Sequence, residues 1–256
     1  MYQTLGICLL LKLHAPVDAQ EVSIYWVIRN TCVVNKLILL LIIIISTNMS
    51  RKILKSCYSQ DQIEVGLDEA GRGPMFGRVY VGAAILPVDD FDHSLMRDSK
   101  KLSERKRLRA FDYIKENSID WSVAFFDEAQ IDTINIFNAT FGAMHKALDN
   151  LNVRPDMVLV DGSHFIPYSF DKEIVRHVCI EKGDNTYSSI AAASILAKVS
   201  RDKYIYDLCD KDESLDTFYG LRRNKGYGTE QHMEGIKQHG ISRWHRKTFG
   251  LCKDYC

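Results

Sequence analysis

The chain has 256 residues, a formal net charge of zero and 46% hydrophobic residues. This hydrophobic fraction is sufficient for a folded core and excludes a disordered tail or a disulfide-stapled miniprotein. The seven cysteines form no CxxC pair, which fits neither a secreted disulfide framework nor a zinc site and favours reduced thiols in the cytoplasm. Residues 217–256 carry eight Lys or Arg against three Asp or Glu, a balance compatible with a polyanionic ligand or with a solvated face.

Residues 1–48 differ in character from the rest of the chain. Their aliphatic run at 37–45 is shorter than the roughly 20 residues that a membrane span needs, so no membrane partner is expected. Three interpretations compete: a weak interfacial anchor, a buried helix, or sequence upstream of the true start. We favour the last, because Met49 opens an ordinary short lead-in to the first strand. An intact mass that begins at Met1 would contradict it.

From residue 63 the patterns of apolar residues predict alternating strands and helices. The expected strands are 63–67, 79–86, 121–127, 157–162 and 174–184. The expected helices follow Ser103, a plausible N-cap, and continue through 135–151, 186–210 and 230–238. This order predicts an α/β fold with a five-stranded mixed sheet flanked by helices. We expect one catalytic domain at 49–215, followed by a basic, helical, substrate-binding extension at 216–256.

Acidic residues end two of the predicted apolar strands. Asp68 and Glu69 follow the first strand, and Asp161 follows the fourth. If these strands are parallel neighbours, the acids lie side by side, although Asp161 with the next glycine could also be a simple turn. Asp202 lies on the long helix, four residues after Lys198, and close packing of that helix could bring it to the strand ends. The alternative is a solvated Lys198–Asp202 pair.

A cluster of carboxylates without His or Cys favours hard divalent cations. Close carboxylates cannot all stay ionised unless cations neutralise them, and oxygen ligands select Mg²⁺ or Mn²⁺ over zinc. Two such ions about 4 Å apart are the usual device for in-line phosphoryl transfer. The pattern therefore predicts metal-dependent phosphodiester chemistry, and the absence of a GxxxxGK[ST] motif argues against nucleotide hydrolysis of that type.

The motifs occur in an order that resembles the ribonuclease HII family. The matching stretches are GLDEAGRGP at 66–74, DSKKLS at 98–103, VDG at 160–162, KGD at 182–184, SIAAASILAKVSRD at 189–202, NKGYGT at 224–229 and HRKTFG at 245–250. They cover nearly the whole chain after Met49, and DSKKLSERKR is most similar to bacterial single-chain members. Arg78 departs from the family, which usually has proline there, and the loop after Asp161 is longer; both bear on substrate fit.

The resemblance implies a ribonuclease H-like fold and an endonuclease that cuts RNA in RNA–DNA hybrids and incises 5′ to ribonucleotides in duplex DNA. Its expected partner is such a nucleic acid, its cofactor two Mg²⁺ or Mn²⁺ ions, and its state a monomer. Carried over by motif, the catalytic and metal-binding acids are Asp68, Glu69, Asp161 and Asp202. A loop expected to read the 2′-hydroxyl through its backbone comprises Gly71, Arg72 and Gly73, which fits the close approach that glycines allow.

Further substrate contacts come from the same resemblance. Tyr227 matches a tyrosine expected to pack on the deoxyribose that follows the ribonucleotide. The alternative is that Tyr227 is a core residue. Expected phosphate contacts are Ser99, Lys100 and Lys198. Two other functions stay open. A ribonuclease HIII-type enzyme would carry lysine in place of Arg72 and a folded N-terminal domain, whereas a catalytically inactive hybrid-binding module would not cleave at all.

Overall fold

A mixed five-stranded sheet lies at the centre of residues 53–256, the part of the chain that the computed structural model describes. Its strands, with the order β3-β2-β1-β4-β7, are β1 (Glu64–Ala70), β2 (Val79–Ile85), β3 (Asp120–Phe126), β4 (Met157–Asp161) and β7 (Arg176–Ile180). The first three strands pair antiparallel, whereas β4 pairs parallel with both β1 and β7. This confirms the predicted fold class. A short hairpin, β5 (Ser169–Phe170) with β6 (Glu173–Ile174), was not predicted and lies in the long connection after β4.

In the described part of the chain, three long helices flank the sheet and three shorter helices follow. They are α1 (Glu104–Asn117), α2 (Glu128–Asp149), α3 (Ser188–Lys211), α4 (Ser214–Tyr219), α5 (Leu221–Asn224) and α6 (Glu230–His239). Short 3₁₀ turns lie at His93–Leu95, Ser99–Lys101, Gly183–Asn185 and Gly250–Tyr255. Helix α2 begins earlier than predicted, at a capping box formed by Asp127 and Gln130, and it kinks at Asn135, where φ is 66°.

Side-chain alternation along β1 and β2 divides the core between the two faces of the sheet. Val65 and Leu67 pack with α2, whereas Gly66 and Gly82 face α3. A Cβ at Gly66 would lie 2.2 Å from the Ser189 backbone, and one at Gly82 would lie 2.2 Å from the Ala193 carbonyl oxygen. Only glycine permits this approach, so α3 lies directly against the sheet. The next α3-facing position of β1 is Asp68.

The C-terminal helices share a second core with the end of α3. It includes Phe76 from the connection after β1, Ile205 from α3, Tyr219 from α4 and Ile236 from α6. Residues Ile53–Cys256 accordingly form one compact unit. The segment 1–48 and the proposed start at Met49 lie outside the described residues, and the division at 215 stays a prediction. None of the helices described between residues 53 and 256 has the length and apolarity to cross a membrane.

Candidate active site

The carboxylates of Asp68, Glu69 and Asp161 gather where β1 and β4 end. The parallel register pairs Leu67 with Val160, so the residues that follow, Asp68 and Asp161, are neighbours on adjacent strands. Asp68 is 6% exposed and points to the α3 face, and alternation turns Glu69 to the α2 face. The predicted juxtaposition of the strand-end acids is thus present in the fold.

Burial and mutual repulsion disfavour the ionised forms of these acids. Burial raises the pKa of Asp68 well above its ordinary value, and the charges of Glu69 and Asp161 raise it further. Burial also raises the pKa of Glu69, against the opposing effect of Arg72, whose guanidinium donates to Glu69 Oε1 at 3.3 Å. Burial raises the pKa of Asp161 despite a 2.7 Å hydrogen bond from the Gly183 N–H. The cations Arg72 and Lys100 offset the negative charge of this cluster only in part.

Asp184 is a further acid at this cluster that the sequence-based assignment did not include. It lies in the Gly183–Asn185 turn after β7 and is 7% exposed. Burial raises its pKa, and the charges of Asp98 and Asp161 add to that effect. Lys100 partly offsets the negative charge, because its ammonium favours ionised Glu69, Asp161 and Asp184. The KGD stretch at 182–184 was the available signal for Asp184.

Asp202 lies apart from the other predicted acids. Its carboxylate accepts from the Lys198 ammonium at 2.7 Å and is 3.4 Å from the Arg107 guanidinium. It lines a separate depression between α1 and α3 with Glu104 and Tyr206. The structure therefore brings Asp68, Glu69 and Asp161 together but does not bring Asp202 to them. The Asp202 carboxylate pairs with cations instead, which resembles the alternative interpretation of a Lys198–Asp202 pair. The pair is partly buried rather than solvated.

The donor set fits hard divalent cations. Asp68, Glu69, Asp161 and Asp184 offer only carboxylate oxygens, the ligand type that Mg²⁺ and Mn²⁺ prefer, and their repulsion is what bound cations would relieve. Within residues 53–256, no three His, Cys, Asp or Glu side chains form a preassembled ion site. The carboxylates would have to draw closer to share an ion.

A cavity of about 300 Å³ opens beside Glu69 and collects all the predicted substrate contacts. Its lining includes Gly71, Arg72, Gly73, Ser99, Lys100, Lys198 and Tyr227. The Tyr227 side chain is 46% exposed, and its ring edge is 3.6 Å from where a Cβ on Gly73 would lie. Tyr227 therefore borders the cavity and is not a core residue.

The turn that carries Ser99 and Lys100 is fixed from two sides. Asp98 caps it by accepting from the Lys100 N–H at 2.9 Å, and Arg107 donates to the Ser99 carbonyl at 2.9 Å. The Ser99 hydroxyl lies 3.0 Å from that of Ser194, which in turn hydrogen-bonds to Asp68 and lowers its pKa. This network ties the cationic turn to the first acid of the cluster.

Two buried arginines hold the loop after Glu69. The sequence alone did not indicate this positioning role. The Arg246 guanidinium donates at 2.6 to 3.1 Å to the carbonyl oxygens of Gly71, Arg72, Pro74 and Gly77. Arg201 donates to the carbonyl oxygens of Phe76, Arg78 and Lys225. Gly71 has φ of +98°, and a Cβ there would meet Arg201 Nε at 2.2 Å. The loop conformation thus depends on glycine and on distant arginines.

A second cavity of about 160 Å³ lies on the other side of Glu69 and Arg72. Asp161 at the end of β4 and Ser163 in the loop that follows border it on one side, and Phe137 and Phe141 border it from α2. Glu69 and Arg72 line both cavities, so a chain bound across the acids could continue from one to the other.

Comparison with known proteins identifies relatives that cover this region of the chain. A family model described as ribonuclease HII matches residues 65–252. The ribonuclease HII of Phocaeicola vulgatus is 44% identical over 193 residues, which are 75% of this chain and 92% of that protein. The ribonuclease H2 of Pyrococcus horikoshii has a similar fold, with a TM-score of 0.61 at 24% identity, covering 75% of this chain and 96% of that one. Bst-RNase HIII in complex with Mn²⁺ has a TM-score of 0.54 at 22% identity, covering 80% and 70%.

Proposed function

The chain belongs to the ribonuclease HII family, and we propose that it cleaves RNA in RNA–DNA hybrids and incises duplex DNA on the 5′ side of embedded ribonucleotides. One observation carries this proposal: Glu69 belongs to the carboxylate cluster and also lines the cavity that contains the Gly71–Gly73 loop and Tyr227. Glu69 therefore connects the acids proposed to cut the phosphodiester with the residues that can contact the sugar. We further propose a monomer that acts in the cytoplasm.

We propose that Asp68, Glu69, Asp161 and Asp184 hold Mg²⁺ or Mn²⁺ with the scissile phosphate. Two bound ions would activate a water for in-line attack and stabilise the leaving oxygen. The structural support is a cluster of buried oxygen donors whose charges repel one another. For Asp202, which the sequence assigned to this set, we propose instead that it orients Lys198 towards the cavity, because the two side chains are 2.7 Å apart.

The remaining groups of the cavity suit a ribonucleotide flanked by phosphates. The Gly73 backbone can approach a ribose closely because the residue has no side chain, and Gly71 lines the same cavity. The 2′-hydroxyl is what distinguishes RNA from DNA. Lys100 and Lys198 supply positive charge for the phosphates on the cavity wall. The exposed ring of Tyr227 is available for the sugar that follows the ribonucleotide.

The test is Mg²⁺- or Mn²⁺-dependent cleavage of a duplex with one ribonucleotide, beside an all-DNA duplex. We expect incision 5′ to the ribonucleotide and none in the control. Asp161→Asn should abolish cleavage with the fold retained, whereas Asp207→Asn, a matched change at an exposed position of α3, should leave cleavage at the wild-type rate. Equal cutting of both duplexes would reject ribose recognition. No cutting with either metal would favour a binding module.

A further inference from the structure

Two buried histidines lie behind the cavity and take no part in the proposed chemistry. His232 on α6 is 0% exposed and His245, in the segment after α6, is 1% exposed. Their Nε2 atoms are 3.0 Å apart, and within residues 53–256 no carboxylate is among their hydrogen-bond partners. The rings of Phe76 and Tyr219 pack against His245 with centroid separations of 5.0 and 4.8 Å.

The hydrogen bonds fix the tautomer of both rings. The Ser242 backbone N–H donates to His245 Nδ1 at 2.9 Å, so this nitrogen carries no proton. His245 must then carry its proton on Nε2 and donate it to His232 Nε2. His232 in turn carries its proton on Nδ1, which donates to the Tyr227 carbonyl oxygen at 3.0 Å. A backbone N–H cannot reverse its role, so the direction of the whole chain is set.

The chain of hydrogen bonds ends on the residue whose ring borders the cavity. The Tyr227 carbonyl also accepts from the Thr229 N–H at 2.8 Å, and the preceding Gly226 carbonyl accepts from the Met75 N–H at 2.9 Å. The backbone of Tyr227 is therefore held to α6 on one side and to the connection after the Gly71–Gly73 loop on the other.

We propose that His232, in the tautomer that His245 fixes, is a positioning residue for Tyr227, which sets where the tyrosine ring lies relative to Gly73 and so governs recognition of the sugar that follows a ribonucleotide. This inference rests on the proposed function, since it assigns a role within that site. Neither histidine touches the substrate. His232 acts through the Tyr227 backbone, whereas His245 acts by fixing the tautomer of His232. A second proton on either ring would place two N–H groups against each other and break the chain of hydrogen bonds.

Two substitutions at His232 separate the contact to Tyr227 from the contact to His245. Asparagine places its amide nitrogen near the position of Nδ1 and can still donate to the Tyr227 carbonyl. Glutamine extends to the position of Nε2 and cannot. Both remove the ring from the same buried site, so they share the packing defect. A purely structural role for His232 therefore predicts equal effects of His232→Asn and His232→Gln.

The measurement compares kcat/KM on two substrates. One is a duplex with one embedded ribonucleotide, which contains an RNA-to-DNA junction, and the other is a continuous RNA–DNA hybrid; the ratio of the first value to the second is the readout. We expect His232→Gln to lower this ratio about tenfold, because a small displacement of a recognition group has a large effect on rate. His232→Asn should keep the ratio within about twofold of wild type. Thermal unfolding, measured in parallel, should show similar losses for the two variants.

A double-mutant comparison tests whether His232 acts through Tyr227. The double mutant His232→Gln with Tyr227→Ala should have the same ratio of kcat/KM values as Tyr227→Ala alone, because the ring that His232 positions is already absent. A further loss in the double mutant, an unchanged ratio in His232→Gln, or equal losses in both His232 variants would overturn the inference and leave the proposed function intact. A wild-type protein that cuts neither substrate would reject the proposed function and this inference with it.

Discussion

The two candidates for the fourth acid, Asp184 and Asp202, make opposite predictions when each is replaced by asparagine. Asp202 is bonded to Lys198 at 2.7 Å and lies 3.4 Å from Arg107, with side chains that are 13%, 21% and 14% exposed, so solvent screens these contacts little. Asparagine keeps an acceptor and loses the charge. We expect Asp202→Asn to lower the free energy of unfolding by about 2 kcal/mol, which lowers Tm by about 4–8 °C in a domain of this size.

Asp184→Asn should have the opposite effects, with little change in stability and a large loss of cleavage. The neighbours Asp98 and Asp161 repel its charge, so the free energy of unfolding without metal should stay within about 1 kcal/mol of wild type or rise. Loss of a proposed metal ligand removes several kcal/mol of transition-state stabilisation, and about 3 kcal/mol corresponds to a decrease in kcat of about 100-fold. For Asp202→Asn we expect less than about tenfold, through a misoriented Lys198.

The assay combines single-turnover cleavage of the one-ribonucleotide duplex, as a function of Mg²⁺ concentration, with thermal unfolding in EDTA. The expected outcome is a large activity loss and a higher Mg²⁺ requirement for Asp184→Asn, and a stability loss with modest activity loss for Asp202→Asn. The reasoning fails if Asp202→Asn abolishes cleavage at wild-type Tm while Asp184→Asn cleaves normally. That result would restore the assignment made from the sequence.

Three further changes test the framework around the acids. Tyr227→Ala should reduce incision at an RNA-to-DNA junction by about tenfold and cutting within a long hybrid much less, measured on the two substrates side by side. Arg246→Lys keeps the charge but cannot reach four carbonyl oxygens, so calorimetry should show a loss of about 2–4 kcal/mol, and normal Tm would contradict it. Burial lowers the pKa of His232, and that of His245 to about 3, so below pH about 6.5 these two histidines bind more protons in the unfolded chain than in the folded one. The contribution of the two histidines to the free energy of unfolding should therefore be full above that pH and be lost as pH drops towards 3, so the stability of the wild type should fall relative to that of His245→Gln over this range.

The parts of the site that could be predicted are those whose position follows from the local sequence pattern. The acids at the ends of β1 and β4 followed from apolar strands that stop at carboxylates, because parallel neighbours bring those ends together. The four-residue spacing on α3 showed that Lys198 and Asp202 share a face. It carried no information on which turn of the helix meets the strand ends. In the structure Ser194 lies beside Asp68, whereas Asp202 contacts Arg107 of α1.

The residues that sequence reasoning did not include all depend on contacts across long stretches of chain. Asp184 lies in a 3₁₀ turn whose position follows from the pairing of β7 with β4, which apolar periodicity does not reveal. Arg246 reaches carbonyls 169 to 175 residues earlier in the chain. The β5–β6 hairpin has strands of two residues each, too short for an alternation pattern.

These long-range contacts bear on the role of the C-terminal segment. The strand-end acids belong to the part of the chain before residue 215, yet the loop that directly follows Glu69 takes its hydrogen bonds from Arg246. Without that guanidinium, several buried carbonyl oxygens of the loop would lack their donors, which is costly in a folded core. The proposed cutting groups are thus carried by the sheet and by the turn after β7, whereas the loop proposed to read the sugar is held in large part by the C-terminal segment. On this argument the segment is part of the active site as well as a basic surface for nucleic acid.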